Sequence, residues 1–154
     1  MRNVIRLALA AATAAALVVV GTGTAFAAQG VFPPPPPRIC EFSLISVTAH
    51  DLQNDGVGDA VFLRLGTTAT TNTVDFTVPW QTEPAAAFGS PTAFYVAPAR
   101  LPVRLFLKAA TLSQQVGATA SVPCLATNSS TRTFTNNDAT YVVTFSVTVE
   151  VIDV

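Results

Sequence analysis

The sequence predicts an all-β fold, an antiparallel β-sandwich of seven or eight short strands closed by one disulfide. Three observations carry this expectation. The final segment alternates: Tyr141, Val143, Phe145, Val147, Val149 and Val151 are apolar, and past Val142 the residues between them, Thr144, Ser146, Thr148 and Glu150, are polar. Such a period of two buries one face of a strand and wets the other. Clusters of Gly, Pro, Asn and Ser punctuate the chain between segments of this kind, and past residue 27 no segment sustains a helical period. Beyond that point Val, Thr, Phe and Ala dominate, with Lys108 as the one lysine, which is a composition of strands. Repeated short strands with turn punctuation make a sandwich.

Taken in order, residues 1–27 read as a signal peptide. Arg2 and Arg6 supply a positive start, Leu7 to Val20 an apolar stretch, and Ala25-Phe26-Ala27 the small residues that a signal peptidase reads. The apolar stretch is short for a bilayer, and no second run of about 18 apolar residues follows, so a transmembrane anchor is not expected. The chain is expected to be secreted or held at the cell surface after cleavage near Ala27. Without the leader it has 6 basic and 9 acidic residues, a formal charge of about −3. That balance argues against nucleic acid, whose affinity comes from basic patches.

Residues 28–38 form a proline-rich arm with five consecutive prolines, Pro33 to Pro37. Proline fixes φ and donates no backbone hydrogen bond, so polyproline II is expected, either as a stiff spacer or as a ligand for a proline-binding module. The sandwich domain then occupies 39–154. Its strands are expected at Glu41–Ala49, Val61–Leu65, Val74–Val78, Thr92–Ala97, Val103–Lys108, Gly117–Pro123, Thr131–Thr135 and Tyr141–Val151. The stretch TEPAAAFGSP at 82–91 reads as a long connecting loop. In an oxidising compartment Cys40 and Cys124 are expected to pair, closing a loop of 84 residues. The rival reading, two free thiols for redox or metal chemistry, lacks a CxxC spacing.

One stretch looks like chemistry: DLQNDGVGDA, residues 51–60. Asp51, Asn54, Asp55 and Asp59 are candidate calcium ligands, because calcium takes six to eight hard oxygen ligands and Gly56 and Gly58 let the backbone wrap. An EF-hand is rejected, since its twelfth position falls on Phe62 where a glutamate is required. The segment LISVTAHDLQNDGVGDAVFLRLG resembles the first two strands of a C2 domain, with Ala49-His50-Asp51-Leu52 and Gly56-Val57-Gly58-Asp59 in the family's places. A second patch, PVRLFLKAATLSQQVGATASVPCL, is similar to a later part of that family. The resemblance covers 44–66 and 102–125. It implies a C2-like sandwich, Asp55 and Asp59 as first-loop ligands, and calcium as the cofactor. It also implies a second acidic loop after Leu107, where this chain has Lys108-Ala109-Ala110. The same DLQNDGVGDA string is equally turn chemistry, with Asn and Asp capping backbone groups and Gly taking positive φ.

Other candidates are single residues. Trp80, the one tryptophan, is either a ligand or partner platform, with Phe88, Phe94 and Tyr95 as its rim, or a plug at the end of the core. His50, the one histidine, stands without a Gly-x-Ser-x-Gly elbow to serve. Glu41, Glu83 and Glu150 supply carboxylates for a glycosidase-type pair or are simply solvated. Asn128-Ser129-Ser130 has the form of a glycosylation sequon. The expected function is therefore a secreted, non-catalytic module that binds or adheres to an extracellular protein or cell-envelope partner, with calcium assisting. A structural, envelope-associated protein is the alternative, and a small hydrolase or inhibitor the weaker third.

Overall fold

In the computed structural model the described residues are 35–53 and 57–152. The expected signal peptide, the first prolines of the arm, and Asn54, Asp55 and Gly56 lie outside them. The chain runs β1 (Arg38–Asp51), β2 (Asp59–Leu65), β3 (Thr68–Ala69), β4 (Val74–Phe76), β5 (Thr82–Pro84), a 3-10 turn (Ala85–Phe88), β6 (Thr92–Val96), β7 (Leu101–Lys108), β8 (Ser113–Val122), β9 (Thr127–Thr135) and β10 (Thr140–Val151).

Two antiparallel sheets result, one ordered β5-β1-β10-β9 and the other β3-β2-β7-β8. Each has one edge made of two short pieces. On β1, β5 pairs with Ser46–Thr48 and β6 with Ile39–Ser43; on β2, β4 pairs with Asp59–Val61 and β3 with Arg64–Leu65. All eight expected strands are present, and β3 and β5 are additions too short to show a period.

The alternation in sequence becomes burial directly. In β10, Tyr141, Val143, Phe145 and Val147 are buried, whereas Thr148 and Glu150 are exposed. The period fails only at the end, where Val151 is exposed. Phe42 and Phe145 stack across the β1–β10 ladder at 4.8 Å, and Phe76 meets the edge of Tyr141 at 5.7 Å. Aromatic pairs in these offset and edge arrangements add to the burial of their area.

The 82–91 stretch is not the loop expected of it. Thr82–Pro84 pairs with β1, and the 3-10 turn after it drives Phe88 fully into the core, 6.4 Å from Phe76. Gly89 ends the turn at φ +84, with its N–H donating to the Ala86 carbonyl. Cys40 and Cys124 form the expected disulfide, their Cα atoms 5.5 Å apart. It joins β1 to the crossover that leaves β8 of one sheet for β9 of the other.

Candidate functional site

The end of the sandwich where β1 stops gathers most of the candidates. β1 delivers Ala49 into the core and His50 to the outside, and Leu52 turns back into the core as the chain leaves the strand. Asp51 is exposed and accepts from the backbone N–H of Leu52 at 3.0 Å, an Asx-type contact that shapes the turn. Gly58 then re-enters β2 at φ +86, where a Cβ would stand 2.6 Å from the Phe76 carbonyl oxygen. Glycine is required there both for its conformation and for the close approach of β4.

Asp59 is buried, only 2% exposed, whereas Asp51 is exposed. One of its carboxylate oxygens, Oδ2, accepts from the Gln53 backbone N–H at 2.7 Å and from the hydroxyl of Tyr141. The carboxylate thus closes the loop on itself and ties β2 to β10 of the opposite sheet. Tyr141 answers in its ionisation. Burial first, then the hydrogen bond and charge of Asp59, then the charge of Asp51, hold its hydroxyl well above the ordinary tyrosine range. Gln53 also reaches Gln114 at the β8 start, its Nε2 donating to Oε1 at 3.3 Å.

For calcium, the described residues do not fit. No group of three or more His, Cys, Asp or Glu side chains converges among them. Asp59 and Lys108 line the same depression, so a basic residue borders it where the resemblance implied a second acidic loop. A positive charge beside a carboxylate weakens its attraction for a cation. Asn54 and Asp55 are outside the described residues.

Trp80 does not plug the core. It is 70% exposed, and Val78 beside it is 56% exposed. Its ring stacks on His50 at 4.3 Å, tilted by 35°. Its backbone sits at φ +64, a left-handed conformation rare for a bulky residue, pinned by its N–H donating to the Ala49 carbonyl at 2.6 Å. The neighbouring Gln81 accepts from the Thr77 N–H at 2.8 Å and donates to the Asp75 carbonyl at 3.2 Å and to the Glu83 carboxylate at 2.7 Å. These contacts fix the turn that presents the indole. The expected aromatic rim does not assemble. Phe88 and Tyr95 belong to the core, Tyr95 donating to the Pro123 carbonyl at 2.9 Å, and Phe94 is exposed on β6 beside Glu41 of β1.

Of the remaining candidates, Glu41 and Glu150 are diagonal neighbours across the β1–β10 ladder, opposite Thr148 and Ile39, on the outward face, and Glu83 lies apart on the β5 edge, held by Gln81. Residues that the sequence did not single out include Tyr141 as the partner of Asp59 and Gln81 as the organiser of the Trp80 turn. Tyr141 was legible only as a core position, and its polar role needs the packing of β10 against β2 of the opposite sheet.

No protein-family model and no curated protein matches the chain. Among solved structures it is similar to one titled "Structure of a C2 domain", at 8% identity and a TM-score of 0.44, covering 72% of this chain and 98% of that one. It is also similar to a structure of two C2 domains of extended-synaptotagmin 2, at 12% identity and a TM-score of 0.43, covering 92% of this chain. The chain spans about half, 48%, of that second structure. The likeness is one of sandwich architecture.

Proposed function

We propose that this chain is an exported, non-catalytic binding module whose contact surface is the Trp80–His50 end of the sandwich. The observation that carries this reading is the backbone of Trp80. A left-handed non-glycine residue costs on the order of 1–3 kcal/mol, and such residues cluster at functional sites. Here the strained position holds an exposed indole rather than the glycine or asparagine that stability alone would choose. The acidic side chains flanking it, Asp51 next to His50 and Glu83 tied through Gln81, favour a partner that offers Lys or Arg to the indole face. Calcium has no part in this reading, because Asp59 serves as a strut. The retention of purified protein on isolated envelopes of the producing cells tests it. Retention is expected to fall at least tenfold in Trp80→Ala and to weaken as salt rises. Equal retention of both proteins would favour a structural, envelope-associated role with no contact site at this end.

A further inference from the structure

A second surface lies at the other end of β1. There the edge strand β6 pairs with Ile39–Ser43, whereas Trp80 bonds to Ala49, so the two surfaces are separate. The register decides what β6 shows to solvent. The Ala97 N–H donates to the Arg38 carbonyl and the Leu44 N–H to the Pro91 carbonyl, and such bonded pairs alternate along an antiparallel ladder. Ala93 and Tyr95 therefore turn their backbone groups to β1, and Thr92, Phe94 and Val96 turn theirs to the free edge. Of these, the Val96 carbonyl accepts from the Ala99 N–H at 2.9 Å.

Proteins blunt free strand edges with charge, proline, bulges or cover. The other edges here follow that rule. Pro84 ends β5, Asp75 is the middle residue of β4, and β3 has only two residues. On β9, Arg132 pairs with the buried Val143 and so takes an inward position. β8 comes so close to β9 that a Cβ at Gly117 would stand 2.8 Å from the Thr135 carbonyl oxygen. β6 has none of these devices: its sequence is TAFYV, its register with β1 is unbroken, and Phe94 and Val96 are 68% and 47% exposed. Beside it on the outward face stand Glu41 and Glu150, which form no ion pair or hydrogen bond among the described residues.

We infer that β6 accepts a further antiparallel strand, a segment of a partner protein in which basic and aliphatic side chains alternate. Main-chain bonds to Phe94 and its neighbours hold such a strand in place. A partner residue directly opposite Phe94 exchanges both backbone bonds with it and shares its outward face. The basic side chains therefore lie over the Phe94 ring, with Glu41 beyond it, and the aliphatic ones fall inward beside Ala93 and Tyr95. A second copy of the chain fits less well, because its own Thr92–Val96 brings no cation to these carboxylates.

Titration of the full protein with an end-blocked hexapeptide of alternating arginine and valine, followed by calorimetry, tests the inference. Saturable binding of one peptide per chain is expected. N-methylation of the arginine amides should abolish it, since those amides face β6, and N-methylation of the valine amides should spare it. A glutamate–valine peptide is expected to bind about tenfold more weakly or worse, through repulsion. Glu41→Gln should weaken the arginine peptide about threefold and Phe94→Ala, at an exposed position, about fivefold. Absence of saturable binding overturns the inference, as does equal affinity for the glutamate peptide. Binding that survives arginine methylation, or that valine methylation abolishes, overturns it as well. So does unchanged affinity in both variants, and loss of binding in Trp80→Ala would move the peptide to the other end of the sandwich. Dimerisation lost in Val96→Pro, in a protein that ignores the peptide, would make a second copy the occupant instead.

Discussion

At the scale of single residues, the described part of the acidic loop is shaped by what the buried Asp59 carboxylate touches. Asp59 accepts from Tyr141 and from the Gln53 backbone, so both polar groups are satisfied inside the sandwich. Tyr141→Phe removes one donor to a buried carboxylate and should cost about 2 kcal/mol in urea unfolding. The sign of its pH dependence follows from burial. The folded hydroxyl titrates above its unfolded value of roughly 10, so its contribution is whole below about pH 10 and is lost as the pH rises beyond that. Tyr95, raised by burial, acts in the same direction. The fall in wild-type stability above pH 10 should be shallower in Tyr141→Phe, and parallel curves would contradict the strut. Calcium should leave the thermal midpoint unchanged between about 2 mM calcium and EDTA. An upward shift lost in an Asp55→Asn, Asp59→Asn variant would restore the metal reading, since a ligand of the folded state alone must raise the midpoint.

At the scale of elements, period-two segments were legible because one face packs on the other sheet and the other meets water. Val61, Leu63 and Leu65 in β2 and Val103, Leu105 and Leu107 in β7 are all buried, as their spacing predicts. The 82–91 stretch was not legible, for the opposite reason. Three residues of strand and four of 3-10 turn are too short for a period, and Pro84, three alanines and Gly89 read as loop. Phe88 was the one clue, an aromatic residue amid small ones. It is fully buried against Phe76, so Phe88→Ala should cost about 3–5 kcal/mol by thermal or urea unfolding, as a core truncation does. A cost under 1 kcal/mol would mean that the turn does not anchor this edge. Trp80 shows another limit. Sequence places an aromatic residue at a strand end, but the turn held by Gln81 decides whether it points in or out.

At the scale of the whole molecule, the disulfide and the strut hold the two sheets together at different points. Asp59–Tyr141 joins β2 to β10, and Cys40–Cys124 joins β1 to the β8–β9 crossover. Closing a loop of 84 residues stabilises by roughly 4 kcal/mol through the unfolded chain, so reduction should lower the midpoint by about 10–20 °C. An unchanged midpoint would mean that the ladders alone fix the crossover. The division between fold and function falls at Trp80, where conformation and chemistry pull apart. Trp80→Gly is therefore the most direct measurement, with thermal midpoint and envelope retention read on one preparation. Glycine relieves the left-handed backbone and removes the indole, so the midpoint should hold or rise while retention falls at least tenfold. A lower midpoint with full retention would make Trp80 a structural residue and contradict the binding surface.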